Sequence, residues 1–256
     1  MQVVQLSENV IKYTFIWILF KFIQVPISVY TITTPQGKIL VDCGHASFAK
    51  EFKVFLKDHT FKYLIITHGH VDHIGNLDSV VQFNPSITVI CHKLEYDFIK
   101  PITNNRISKP LKKFSSIKGD TIAYNMLSKL GVLEEASWPQ FDFNVSIQVI
   151  DTLEYTLGAI KIIHTPGHTL GHVSVLIPSD SIALAGDLFS NLRPFSLFRT
   201  LDPVVSRYFI STVNNTLVKS SLVQLYSSCK QKSINTIYPS HDSGNGVELK
   251  AIKDLK

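Results

Sequence analysis

Runs of four to six apolar residues, bounded by Gly, Pro, Asn or Asp, recur along the 256-residue chain and read as short buried strands. Residues 27–33 and 38–42 flank the turn Pro35-Gln36-Gly37 and predict a hairpin. Between 46 and 58 the period changes. Phe48, Phe52, Phe55 and Leu56 recur at helical spacing, so this segment is an amphipathic helix. Residues 63–67 then form a strand, 75–82 a helix and 87–91 another strand. The second half repeats the alternation, with strands near 147–153, 160–164, 172–177, 181–186 and 236–239 and a helix near 212–230. Such alternation suits two packed sheets with helices outside. The apolar stretch Phe15-Ile16-Trp17-Ile18-Leu19-Phe20 raises the question of a membrane segment. Lys12, Lys21, Gln24 and Pro26 interrupt it well short of the roughly 20 residues that a spanning helix needs, and we assign it to sheet strands.

Two segments break the pattern. Residues 100–144 carry Pro101, Pro110 and Pro139, several lysines and one helix around 122–130. An insertion above a scaffold often shapes specificity, so this stretch is either a lid over a site or a structural excursion. The stretch from Leu188 to Phe198 is apolar for a loop. It could wall an acyl group, fill core, or meet a partner. For the chain as a whole a homodimer is one option, with no surface assigned to it.

Chemistry is concentrated in Thr67-His68-Gly69-His70-Val71-Asp72-His73, which places three imidazoles and a carboxylate directly after an apolar strand. Imidazole and carboxylate suit zinc, iron and related divalent ions. His68 and His70 alternate in extended fashion and can face one way, while Asp72 and His73 follow where the chain turns toward a helix. The same grammar recurs three times: His168 lies in a Pro-Gly turn after Ile162-Ile163, Asp187 directly follows Ala183-Leu184-Ala185-Gly186, and His241 follows Thr236-Ile237-Tyr238-Pro239. Four strands ending in metal-binding residue types point to one site along one sheet edge.

In this order of motifs the chain resembles the metallo-β-lactamase superfamily of hydrolases, from about residue 29 to 241. The resemblance implies an α+β fold, a four-layer αββα sandwich, and the length and hydrophobic content fit a single domain over 1–256. It also implies two divalent metal ions, zinc foremost, with iron or manganese as substitutes. One ion would take His68, His70 and His168, the other Asp72, His73 and His241, with Asp187 between them. Asp42 matches the family aspartate that braces the metal loop. His172, at the start of a strand, either packs in the core or lies behind the ligands and orients His168 or a substrate. Two cations acting on one water would supply hydroxide to attack a polarised carbonyl, with Asp72 and Asp187 able to shuttle the proton. His164 reads as structural, and His45, His59 and His92 as surface or capping residues. Tyr208, Tyr226 and Tyr238 could each hydrogen-bond a transition state, and nothing in the sequence chooses among them.

Composition narrows the function. The net charge of +5 comes from scattered residues, with only Lys109, Lys112, Lys113 and Lys118 loosely clustered, which argues for a small-molecule substrate over nucleic acid. Cys43, Cys91 and Cys229 are odd in number and far apart, which argues against a disulfide framework and for the cytoplasm. Within the superfamily, β-CASP nucleases and flavo-diiron reductases need further domains. Glyoxalase II enzymes carry a helical domain where only a short tail follows His241. Acyl-homoserine-lactone lactonases carry a tyrosine where this chain has Leu188-Phe189-Ser190. The expected activity is hydrolysis of an ester, lactone or thioester of a small, partly apolar substrate. The alternatives are a mononuclear iron enzyme of the persulfide dioxygenase type and a phosphodiesterase or ribonuclease of the same superfamily.

Overall fold

The structure is a computed structural model that describes residues 1–19, 23–100, 141, 144–192, 204–206 and 212–255. Seven strands form a first sheet in chain order: β1 (Gln2–Gln5), β2 (Val10–Leu19), β3 (Ile23–Thr34), β4 (Gly37–Val41), β5 (Tyr63–Ile65), β6 (Thr88–His92) and β7 (Ser146–Ile150). Pairing is antiparallel up to β4 and parallel from β4 to β7. The chain then enters a second sheet through β8 (Glu154–Leu157), β9 (Ile160–His164), β10 (Val173–Ile177) and β11 (Ile182–Gly186). After a two-stranded ribbon, β12 (Ser190–Leu192) and β13 (Val204–Ser206), that sheet is completed by β14 (Thr236–Pro239), parallel to β11, and β15 (Val247–Glu248).

Side-chain alternation along the strands explains the layering, because successive residues face opposite sides. In β4 and β5, Leu40 and Leu64 face the helices Ala49–Lys57 and Leu77–Phe83, where they meet Phe52, Phe55, Leu77 and Val80. Ile39, Val41 and Ile65 face the other way, into a layer shared with Ile162, Val173, Val175, Ile182 and Leu184 of the second sheet. The far side of that sheet, carrying Ile163, Leu176, Ala183 and Ile237, is covered by Val218, Leu222 and Leu225 of the helix Asn215–Gln231. Three apolar layers therefore separate helix, sheet, sheet and helix: an α+β sandwich of the αββα kind.

Most expected elements appear within a few residues of their predicted bounds, and the differences have local causes. Residues 147–153 do not form one strand, because the chain leaves the first sheet at Ile150 and joins the second at Glu154. Thr152 Oγ1 donates to the Glu154 carbonyl at 3.1 Å in the bend between them. The last long helix starts at Asn215, later than expected, because the Asn214 side chain accepts from the N–H groups of Thr216 and Leu217, both at 3.0 Å, and caps it. Of the apolar N-terminal stretch, Phe15 to Leu19 lie in β2, as expected, and Phe20 falls outside the described residues. Leu188 and Phe189 are buried against the last long helix's apolar layer, so the described start of the 188–198 stretch is core. Its remainder past Leu192, most of the 100–144 segment and Tyr208 fall outside the described residues. Cys43, Cys91 and Cys229 are unpaired and buried. Among the described residues, no helix is long and apolar enough to cross a membrane.

The layer between the sheets sets a test of this architecture. Leu184→Ala, which removes a side chain 1% exposed, should lower the urea-unfolding free energy by about 2–5 kcal/mol. Leu153→Ala, at 73% exposure, should change it by less than about 0.5 kcal/mol. Equal losses would contradict the layer assignment.

Candidate metal centre

The loop from Thr67 to His73 leaves β5 at the edge where β9, β11 and β14 of the other sheet also end. It is held at both ends by one carboxylate. Asp42, just past β4, adopts a left-handed backbone (φ 59°), which aspartate tolerates better than most residues. Its Oδ1 accepts from the Thr67 N–H at 2.8 Å, and its Oδ2 accepts from Thr67 Oγ1 at 2.7 Å and His73 Nδ1 at 2.8 Å.

These contacts decide which nitrogen each ring turns inward. His73 gives its Nδ1–H to Asp42, so Nε2 is the nitrogen turned inward, and that Nε2 has no hydrogen-bond partner among the described residues. Thr67 Oγ1 donates to Asp42 and therefore accepts from His68 Nδ1 at 3.1 Å, leaving His68 Nε2 as an acceptor. His241 gives its Nδ1–H to the Pro26 carbonyl at 2.8 Å and likewise points Nε2 inward. Orientation of a ligand imidazole by its outer N–H is the usual arrangement at metal sites.

The structure brings all seven predicted residues together. His70 Nδ1 lies 3.0 Å from His68 Nε2 and 2.9 Å from His168 Nε2. Asp187 Oδ2 lies 3.8 Å from His68 Nε2, 3.4 Å from His168 Nε2, 3.5 Å from His73 Nε2 and 3.2 Å from His241 Nε2. Asp72 Oδ2 completes the far side at 3.7 Å from His73 Nε2 and 3.3 Å from His241 Nε2. Two groups result, His68 with His70, His168 and Asp187, and Asp72 with His73 and His241. Within each, the donor atoms lie within 4.8 Å of one another. Tetrahedral zinc with nitrogen ligands at about 2.0–2.1 Å would space them about 3.3–3.4 Å apart. The donor set therefore fits a divalent metal ion.

Burial and charge divide the two groups. Burial holds His68 and His168 well below the ordinary histidine range and His70 down at about 4, so these rings are neutral. Burial also disfavours charge on His241, yet Asp187 and Asp72 override it and push its pKa up to about 10. His73 is raised in the same way, by Asp187, Asp72 and Asp42. Burial would keep Asp72 and Asp187 protonated. His73 and His241 outweigh it and hold both carboxylates below the usual range.

Other residues fix the frame. His172 Nε2 accepts from the Asp187 N–H at 3.0 Å, while its Nδ1 faces the Thr165 carbonyl at 3.0 Å. Its hydrogen bond thus serves the backbone of Asp187 in place of the expected contact with His168. Burial keeps that ring neutral, with its pKa down at about 3. A Cβ on Gly186, whose φ is 57°, would come within 2.4 Å of the same Nε2. His45 and His92 cap short turns, as expected; His92 also stacks on His164 at 4.0 Å. Tyr238 is buried between the sheets, and Tyr226 packs beside the last long helix's apolar layer.

Glu95 is the residue that sequence reasoning missed. Only 1% exposed, it accepts from the Gly69 N–H at 2.8 Å through Oε2, and through Oε1 from the Gly171 N–H at 2.8 Å and Thr169 Oγ1 at 2.7 Å. It ties the loop bearing His68 and His70 to the loop bearing His168.

A family profile described as the metallo-beta-lactamase superfamily matches residues 23–241. The chain belongs to that superfamily. It is 26% identical over 162 residues to a metallo-beta-lactamase fold-containing protein of Sulfurisphaera tokodaii, covering 62% of this chain and 56% of the relative. It is 27% identical over 177 residues to the probable metallo-hydrolase YflN of Bacillus subtilis, covering 65% and 58%. The chain thus aligns with little more than half the length of these two relatives. Among solved structures, the FIM-1 metallo-beta-lactamase of Pseudomonas aeruginosa in its mono-zinc form superposes with a TM-score of 0.63. That match has 16% identity and covers 98% of this chain and 91% of the other, a likeness of fold.

Glu95→Gln places an amide N–H₂ against one of three donors that now share a carboxylate. It should cost about 1–3 kcal/mol in urea unfolding of the metal-free protein. No change would show that the brace is not needed to join the two loops.

Proposed function

We propose that this protein is a hydrolase holding two divalent ions, zinc foremost, that opens a carboxylic ester, lactone or thioester of a small, partly apolar substrate. The observation that carries the reading is the shared carboxylate. Asp187 Oδ2 stands within 3.8 Å of inward-facing nitrogens from both groups, so a single aspartate serves two half-sites. His68, His70 and His168 would hold one ion and Asp72, His73 and His241 the other, with Asp187 common to both. Bound there, divalent cations lower the pKa of a water toward neutrality and polarise a carbonyl oxygen.

The chain's own groups have distinct parts. Asp42, Thr67 and the Pro26 carbonyl hold the outer N–H of His73, His68 and His241, which turns the inner nitrogens toward the centre. The side chain of Asp187 is 3% exposed and committed to the centre, whereas that of Asp72 is 15% exposed. Asp72, the more exposed of the two, is therefore the carboxylate better placed to take a proton at the centre and return it to a departing group. The named relative YflN, a probable metallo-hydrolase, supports the reaction class. Three buried, unpaired cysteines fit a reducing compartment such as the cytoplasm. A second reading, a mononuclear iron oxygenase, draws on the first group alone, whose three imidazoles and carboxylate already make a complete donor set.

Asp72→Ala and His168→Ala should each reduce ester, lactone or thioester turnover at least about 100-fold and lower bound metal, measured by elemental analysis. Full activity in either variant would refute the assignment. About two zinc per chain favours the hydrolase, and about one iron with oxygen consumption favours the oxygenase.

The pKa directions give a second test. His73 and His241 are raised, so they carry protons at neutral pH in the metal-free protein, whereas His68, His70 and His168 do not. In pH-stat titration with zinc, one equivalent should bind with little proton release and the other should expel protons. The proton-releasing ion should be lost first as pH falls. Equal release by both equivalents would contradict the division.

A further inference from the structure

Lysine is almost never fully buried without a partner, and Lys12, near the start of β2, is 2% exposed. Its ammonium reaches Asp242 Oδ2 at 2.5 Å and the carbonyls of Asp242 at 3.4 Å and Gly244 at 3.2 Å. Asp242 accepts in addition from Asn191 Nδ2 at 2.7 Å, the Gly244 N–H at 3.0 Å and the Gly246 N–H at 2.9 Å. Desolvation offsets much of the attraction in such a pair, so stability is a poor reason for it; fixing geometry is a better one.

What lies beside it is His241. Residues 240–242 follow the end of β14 and have only an isolated bridge, Asn191 to Asp242, in place of strand pairing. They are clamped from three strands. β3 holds the Ser240 carbonyl through the Ser28 N–H at 2.9 Å and His241 Nδ1 through the Pro26 carbonyl at 2.8 Å. β12 holds the His241 carbonyl through the Asn191 N–H at 2.9 Å, and β2 supplies Lys12. Lys12 precedes residue 23, where the family match begins. This part of the clamp is therefore added by a strand outside the matched region.

We propose that Lys12 is a positioning residue for the second half-site: by holding and neutralising Asp242, it fixes His241 so that Nε2 faces Asp72 and Asp187. Without the ammonium, the Asp242 carboxylate is an uncompensated buried anion one residue from a metal ligand. Only three neutral donors, Asn191 Nδ2 and the N–H groups of Gly244 and Gly246, then oppose its pull toward a cation, which would draw His241 out of register. The consequence for metal binding rests on the two-ion reading above. The orientation of His241 does not.

Lys12→Met removes the charge and keeps the stem; Asp242→Asn keeps the shape of the acceptor and is the variant that decides if the first does not fold. The first readout is the imidazole ¹H–¹⁵N spectrum of the metal-free full chain. The Nδ1–H of His241 should shift and exchange at least about tenfold faster in either variant, while that of His172, hydrogen-bonded to Thr165, stays as in the parent and reports an intact fold. The second readout is zinc titration, in which the variants should keep one ion at parental affinity and bind the other at least about tenfold more weakly. An unmoved His241 signal in a folded variant overturns the positioning role. If the parent protein binds a single ion while His241 moves, the two-ion reading fails and the positioning role stands.

Discussion

The inward nitrogens of three imidazoles, His68 Nε2, His70 Nδ1 and His168 Nε2, converge to 2.9–3.0 Å along two edges, so close that a proton or a cation must lie between them. That convergence is the constraint on which the rest of the site depends. Hydrogen bonds outside the ring fix the inward nitrogens of His68, His73 and His241, and burial keeps the rings of the first group neutral. The surrounding polar groups divide the work: Asp42 fixes the two ends of the metal loop, Glu95 joins that loop to the one bearing His168, and His172 holds the backbone of Asp187. None of these three contacts a cation directly in the proposed arrangement, yet each removes a freedom that the donors would otherwise have.

The sandwich explains how residues so distant in the chain converge. Four ligand-bearing segments follow β5, β9, β11 and β14, and both sheets present those strand ends to one edge. The apolar layer between the sheets sets their separation, and hydrogen bonds from β3 to residues 239–241 cross it, including Tyr30 Oη to the Pro239 carbonyl at 2.9 Å. The candidate metal centre is thus built at the junction of two independently hydrogen-bonded sheets, with polar cross-links carrying the register from one to the other.

Much of this was legible in the sequence, for identifiable reasons. The ligand types are chemically distinctive, and their position after apolar runs marks strand ends, so His68, His70, Asp72, His73, His168, Asp187 and His241 could be collected without coordinates. Strand alternation made the layering legible too, as with Leu40 and Leu64 against Ile39, Val41 and Ile65. Glu95 was not legible, because a lone glutamate after a strand reads as solvated surface and its partners are mainly backbone N–H groups of distant glycines. Lys12 misled for a related reason. It reads as a polar interruption of an apolar stretch, and only the fold shows that Asp242, 230 positions later, takes its charge.

The most direct measurement is anomalous X-ray diffraction at the zinc edge from crystals of the metal-loaded protein. The account predicts two peaks, one among His68 Nε2, His70 Nδ1 and His168 Nε2, the other among Asp72, His73 and His241, with Asp187 between them. Peaks elsewhere, or none at these side chains in a metal-saturated crystal, would contradict it.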